Sequence, residues 1–466
     1  MENYFAVVIG GGPGGTPAAM ALATAGKKVL LVEDSGKLGG ACLFIGCIPS
    51  KIIKFTADEI TAFRKTGAKF GMATAVEPDK AWNYMQKKME KILEGRSGGA
   101  MKKAGQLPGL TVIKGRAKFI SATTVEITGE NGKKTEATFE KAVIATGSKS
   151  WIPSFEGDGI KDVNVTENFF RMEKLPGSLA IVGGGPIGIE LAKMMTNFGV
   201  KVTIIEAMDS ILKGIVEKDF AEIVTGNLKN SGIPLMLSSK VMSINRENNG
   251  FVLEVKTDAG GVQKLKAEKV LVAAGKIPNI DGLGLDEIGV QHTNRGIMVN
   301  EFLETSVPGI YATGDVTNGP KFAHLASFEA QKAAGNMISG NKLKLDLTKN
   351  SWVLFSEPEI AVAGMTEEQA KSAGIETQTA SYNYQIDATE QIQETTQGML
   401  RYVVDRKTGR IMGVHIIGKD ASELSGEATL IVSAKLTLAD VAETIHPHPT
   451  RTEAFGFLAG EMMRRK

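Results

Sequence analysis

Cysteine is nearly absent from this chain: 466 residues contain only Cys42 and Cys47. Two thiols cannot staple a fold of this size, and a zinc site needs about four ligands that no further cysteine or nearby histidine supplies. No metal is expected. Neither charge is in excess, with 54 Lys and Arg against 52 Asp and Glu. That balance gives no footprint for nucleic acid or an anionic membrane. No apolar run is read as reaching the ~18 residues of a membrane span, so no membrane partner is expected. The chain opens Met1-Glu2-Asn3-Tyr4 and enters an apolar strand at once. A basic start, apolar stretch and cleavage site are missing, so no secretory signal is expected and the location follows as cytoplasmic.

Glycine, by contrast, is abundant: 54 residues, about 12% against an average near ~7%. Many of these glycines fall in phosphate-loop patterns. An apolar strand at 5–9 leads into Gly10, Gly12 and Gly15, then an alanine-rich helix ending near Ala25-Gly26, then a second strand delivering Glu33. The glycines allow a tight turn and let backbone N–H groups approach a pyrophosphate at the helix start, while the acid accepts from a ribose hydroxyl. The pattern recurs at Gly183, Gly185 and Gly188, with a helix through Glu190 and Lys193 and a strand delivering Glu206. In both copies the acid follows the first glycine by 23 residues. One such motif is weak evidence; two in register predict two nucleotide sites. Glu206 pairs with a free 2′-hydroxyl and repels a 2′-phosphate, and no base lies at 207–212, so the second site is expected to take NAD(H).

Between the two copies, residues 39–51 read Gly-Gly-Ala-Cys-Leu-Phe-Ile-Gly-Cys-Ile-Pro-Ser-Lys. A disulfide between Cys42 and Cys47 would close a tiny loop and constrain little of the unfolded chain. Such a pair suits opening and closing during turnover.

With this motif between the folds, the chain resembles the flavoprotein disulfide reductases, and among them the dihydrolipoamide dehydrogenases. The likeness also includes Ala145-Thr146-Gly147, Gly275-Lys276-Ile277-Pro278-Asn279, the run 311–316 with Asp315, Ala323-His324 and the run 446–454. It implies an α/β chain with two Rossmann-like dinucleotide-binding domains, for FAD and NAD, and a C-terminal α+β dimerisation domain. The implied segments are 1–148 and 276–348 for FAD, 149–275 for NAD and 349–466 for dimerisation. FAD is expected at Gly10, Gly12, Gly15, Glu33, Lys51, Ala117, Thr146, Gly147, Asp315 and Ala323. NAD is expected at Gly183, Gly185, Gly188, Glu190, Glu206, Val241 and Gly275. The likeness further implies Cys47 next to the flavin, Cys42 exchanging with substrate, Glu190 pairing with Lys51, and His448 as acid/base oriented by Glu453. In a homodimer that His448 serves the partner's cysteines. His292, His324, His415 and His446 are read as structural.

The implied reaction is dihydrolipoamide plus NAD+ giving lipoamide, NADH and a proton, with a small-molecule or lipoyl-protein disulfide as partner. A 2-oxoacid dehydrogenase or glycine cleavage complex is a possible host. Phe44 stands where the family usually has a small polar residue, Glu357 replaces a frequent His, Lys276 a frequent Arg, and Pro186 occupies the nicotinamide-side position. Two alternatives are a glutathione- or mercuric-type reductase and a catalytically retired flavoprotein scaffold. Glu206 and the cysteine-free stretch 456–466 argue against the first. The retained Cys42, Cys47, His448 and Glu453 argue against the second. The helical stretch 79–103, rich in Lys and Met, is expected to be exposed.

Overall fold

The computed structural model describes residues 2–258 and 260–464, so Met1 and the last two residues of the stretch 456–466 lie outside them. Strand β1 (Glu2–Ile9) is buried on both faces over its inner half, as a central parallel strand must be. Helix α1 (Thr16–Thr24) returns the chain to β2 (Val29–Glu33), parallel to β1. Three helices follow: α2 (Gly40–Phe44), α3 (Cys47–Phe70) and α4 (Pro78–Gly105). Next come β3 (Leu110–Lys114), β4 (Arg116–Ser121), β5 (Thr124–Thr128) and β6 (Lys134–Ile144). The sheet runs β3-β2-β1-β6-β5-β4, and a late strand, Ile310–Ala312, joins it parallel to β6. The chain therefore leaves this sheet after β6 and comes back to it.

The excursion is bounded by a two-stranded bridge. Strand β7 (Ser148–Ser150) pairs antiparallel with Lys276–Pro278. Between them lie the short α5 (Thr166–Phe169), β8 (Ser178–Val182), α6 (Pro186–Asn197) and β9 (Lys201–Ile205). These build a second parallel sheet, with Leu235–Met236 and Lys269–Val272 at its edges, and a three-stranded antiparallel sheet lies beside it. The C-terminal unit is a five-stranded antiparallel sheet whose middle strand, Ile411–Gly418, is buried at every residue. Its helices Ala421–Ser433 and Glu453–Arg464 pack on the same core.

Helix α3 unites the parts. Ile52, Ile53, Ala57 and Ile60 share one core with Phe198 and Leu271 of the second fold and with Leu354, Ile360 and Ile417 of the C-terminal sheet. By length and composition the span Gly40–Phe70 could cross a membrane, which the sequence expectation of no such run overlooked. Its buried face instead packs on protein, and the turn at Ile45–Gly46 divides it at the cysteines. Helix α4 likewise departs from expectation. It is not exposed throughout: Trp82, Met85 and Met89 are buried, with Trp82 Nε1 donating to Met172 O at 3.0 Å. Its methionines fill core space that their flexible chains suit.

Candidate active site

Each glycine loop is built by necessity. Gly10 has φ +107°, and a Cβ there would sit 2.3 Å from Ala145 O; one on Gly15 would sit 1.9 Å from Gly10 O. Gly183 (φ +121°) and Gly188 repeat the constraint, at 2.5 Å from Ala273 O and 2.1 Å from Gly183 O. These positions admit no side chain because the turn and the strand–helix packing leave no room. The middle glycines differ. A Cβ on Gly12 meets nothing nearer than 3.6 Å and one on Gly185 nothing within 4 Å, so the space over each loop is kept for a ligand.

The two acids bind their loops in the same way. Glu33 accepts from Gly11 N at 2.6 Å and from Ser35 N at 2.9 Å; Glu206 accepts from Gly184 N at 2.5 Å and Met208 N at 2.7 Å. Gly115 N donates to Glu33 O at 3.1 Å, which sets the start of β4 and its buried Ala117 beside the first site. Ser239 N donates to Glu206 O at 2.9 Å and brings the buried Val241 toward the second. Gly275 (φ +144°) accepts from Trp151 N at 3.0 Å where the chain turns into the bridge.

A cavity of about 600 Å³ joins the first loop to the cysteines. Gly10, Gly12, Glu33, Cys42, Cys47, Lys51, Thr146, Gly147, Asp315, Ala323 and, from the second fold, Glu190 all line it. Gly15, Ala117, Gly183, Gly185, Gly188, Glu206, Val241 and Gly275 do not; the second fold reaches this cavity through Thr166 and Phe170 at α5 and through the start of α6. At the floor, Thr146 Oγ1 donates to Asn279 O at 2.7 Å, and Ser148 Oγ donates to Asp315 Oδ2 at 2.7 Å. A cleft that runs from a bare glycine loop and a ribose-binding acid to a thiol and an ammonium fits FAD, and the open loop at Gly185 fits NAD(H).

Cys42 and Cys47 are free thiols on either side of the α2–α3 turn. The Cys42 thiol donates to Cys47, and the Lys51 ammonium stands near; together they hold Cys47 low, at about 7, against the opposing effect of burial. The same hydrogen bond, then burial, pushes Cys42 up. Cys47 is thus the thiolate of the pair near neutral pH. Lys51 Nζ lies 2.7 Å from Glu190 Oε2, the ion pair expected from the sequence, joining α3 to α6.

His448 and Glu453 meet, with Nδ1 3.0 Å from both carboxylate oxygens, but they lie outside the cavity and His448 is 72% exposed. Among the described residues, neither shares a cavity or a hydrogen bond with this chain's own cysteines. The four histidines read as structural all have partners: His292 with Asp286 at 3.1 Å, His324 with Ser351 O at 2.6 Å, His446 with Glu427 at 2.8 Å, and the fully buried His415 with Glu217.

Three site residues escaped sequence reading. Phe355 donates its amide to Glu190 Oε1 at 2.9 Å and lays its ring 4.1 Å from Lys51 Nζ. Glu329 is buried and accepts from Gly314 N at 2.7 Å; burial first, then Asp315, pushes its carboxyl up to about 7. Lys321 Nζ donates to Asp315 O at 2.6 Å. None belongs to a local motif: Phe355 lies 165 residues from Glu190, and only the fold joins them.

The match to known proteins runs along the same lines. Residues 4–330 match the family described as pyridine nucleotide-disulphide oxidoreductase, and residues 350–459 match its dimerisation domain. The chain is 37% identical to a dihydrolipoyl dehydrogenase of Geobacillus stearothermophilus over 96% of this chain and 93% of that one. It is 35% identical to that of Bacillus subtilis, over 96% and 94%. A copper(II) complex of the HOCl-induced flavoprotein disulfide reductase RclA from Escherichia coli superimposes with a TM-score of 0.85, at 26% identity over 99% of this chain and 100% of that one. With the glycine loops, the thiol pair and both matched regions in hand, the chain belongs to the pyridine nucleotide-disulphide oxidoreductases, enzymes that use FAD and NAD(H).

Proposed function

We propose that this protein interconverts a dithiol and a disulfide at the expense of NAD(H), with dihydrolipoamide as the best-supported substrate. The observation that carries the reading is the Cys42–Cys47 pair at the junction of two dinucleotide folds, with Cys47 held as thiolate beside Lys51. FAD, bound over the first loop, supplies the two-electron relay between nicotinamide and thiols. Residues 1–148 and 276–348 would hold it, 149–275 would hold NAD(H), and 349–466 would dimerise. Glu190 and the Phe355 ring fix the Lys51 ammonium at the cavity. Cys42 exchanges with the substrate sulfur. Each departing sulfur needs a proton, and His448 of the partner subunit is suited to give or take it through Nε2, since Glu453 binds its Nδ1 and sets the tautomer. A cytoplasmic location belongs to this reading.

Two experiments test it. NADH oxidation against lipoamide, glutathione disulfide and CoA disulfide should be fastest with lipoamide; no turnover with any of them would refute the activity. For the shared site, Cys47→Ser and His448→Ala homodimers should each be nearly inactive. Refolded as an equal mixture, they should recover about one quarter of wild-type activity, because half the dimers are mixed and each has one intact site of two. Full chain exchange without recovery would place the whole site in one chain. A second reading, a reductase of another disulfide, is favoured by one feature, the large Phe44 ring at the cavity between the cysteines.

A further inference from the structure

The exposed turn that carries His448 is pinned at both ends. Before it, His446 Nε2 lies 2.8 Å from Glu427 of helix Ala421–Ser433. Within it, Thr450 Oγ1 donates to Pro447 O at 2.7 Å and Thr450 N donates to Glu453 Oε2 at 3.0 Å, bonds that stay local. Arg451 reaches out of the turn. Its guanidinium donates through Nε to Glu390 Oε1 at 2.5 Å, through Nη1 to Asp420 Oδ2 at 3.0 Å and through Nη2 to Gln393 Oε1 at 2.6 Å. The receptor is shaped before the arginine arrives. Glu390 is fully buried on the short helix Ala388–Gln393, whose start is fixed by Asp387 Oδ1 accepting from Glu390 N at 3.0 Å. Glu394, left-handed at φ +57°, ends that helix and folds the chain back, so that Thr395 N donates to Glu390 O at 2.9 Å and Thr395 Oγ1 to Glu390 Oε2. One carboxylate oxygen is thereby occupied and the other meets Arg451. Asp420, also left-handed at φ +57°, closes the opposite side. A carboxylate buried this deeply would be strongly destabilising without its cation, and the planar guanidinium fork answers all three acceptors at once.

We propose that Arg451 is a positioning residue for the acid/base pair: by rooting the turn in Glu390, Asp420 and Gln393 it holds His448 and Glu453 where Nε2 meets the sulfur it serves. This deepens the proposed dithiol–disulfide reaction and rests on it. Arg451 touches no substrate and moves no proton; it acts through Thr450, whose amide binds Glu453, and through Glu453, which binds His448 Nδ1. His448 itself is 72% exposed and has no packing of its own to fix it. Misplacing a reacting group by about 1 Å costs on the order of a hundredfold in rate, so a loosened turn would be felt in turnover even while the fold holds.

Complementation between chains separates this role from a general weakening of the protein. The Arg451→Ala holoenzyme should lose at least roughly tenfold in kcat with lipoamide while its FAD content and KM for NADH stay at wild-type values. Millimolar guanidinium ion, which fits the vacated cage, should restore part of the rate. Refolded with an equal amount of Cys47→Ser, Arg451→Ala should recover about one quarter of wild-type activity, because its lesion lies on the His448 side of the shared site. Refolded with His448→Ala it should recover nothing. Should Arg451→Ala not fold, the double variant Arg451→Met, Glu390→Gln leaves no buried charge unpaired and takes its place in both mixtures, with the same outcomes expected. An unchanged kcat overturns the proposal. So does an inactive mixture with Cys47→Ser, since the lesion would then reach the variant's own cysteines. Cys47→Ser with His448→Ala is the control: recovery there alone overturns the role of Arg451, whereas recovery in neither mixture sinks the shared site on which that role rests.

Discussion

The two dinucleotide folds repeat one geometry and finish it differently. Their loops share the outer glycine constraints, the helix start and an acid bound to two amides. Over the first loop, however, the chain lays a cover: Gly39 N donates to Gly11 O at 2.8 Å, and a Cβ on Gly40 would come within 2.5 Å of Gly12 Cα. Glu33 is 8% exposed beneath it. At the second loop a Cβ on Gly185 would meet nothing within 4 Å among the described residues, and Glu206 is only half-buried. A covered loop suits a resident group and an open one suits a group that must enter and leave each cycle. The cover is the cysteine segment itself, so the same thirteen residues at 39–51 close the first site and carry the redox pair.

Exchanging side chains between the two loops should show this asymmetry most strongly. Gly12→Val fills the closed cleft, and purified protein should contain less than about one tenth of the wild-type FAD, read from absorbance. Gly185→Val should keep its FAD and raise KM for NADH about tenfold. If both variants lose FAD equally, the loops do not differ as described. A smaller effect concerns the open site. Because both Glu206 oxygens are already fixed by amides, the carboxylate cannot swing away from a 2′-phosphate, and NAD should be preferred over NADP by at least roughly tenfold, about 1.4 kcal/mol. Equal kcat/KM for the two cofactors would end that assignment.

The smallest effect belongs to Glu329 under the covered site. Its folded-state pKa is raised, so its contribution to stability is complete below the ordinary carboxyl value and is lost as pH rises through about 7. Glu329→Gln keeps an acceptor for Gly314 N and removes the titration. Thermal melts should then show the variant gaining about 2 °C relative to wild type at pH 8 and nothing at pH 4.5. A gain of the same size at both values would mean that the change acts through packing.

The parts of this architecture that were legible in sequence are those whose physics is local. Gly10, Gly15, Gly183 and Gly188 announce themselves because a turn that admits no Cβ must be glycine. Glu33 and Glu206 follow at a spacing fixed by one helix and one strand. Cys42 and Cys47 stood out by scarcity. What stayed hidden is what only the fold assembles: Phe355 under Lys51 and Glu329 beneath Gly314. Each is an ordinary residue in an ordinary element. The reading of α4 as exposed failed because lysines hid a one-sided stripe of Trp82, Met85 and Met89.

Helix α3 is in effect the optical bench of the molecule. Its first turn mounts Cys47 and Lys51, and its next turns are clamped at once by the second fold and by the C-terminal sheet. The ammonium is also tied, through Glu190, to the amide of Phe355, which directly follows strand Ser351–Leu354 of that sheet. Alignment of the thiols is therefore set in part by residues more than three hundred positions away. A substitution that tilts the C-terminal sheet by a fraction of an ångström would be felt at Lys51 before it was felt as unfolding, as a loss of electron-transfer efficiency in a protein that still melts normally.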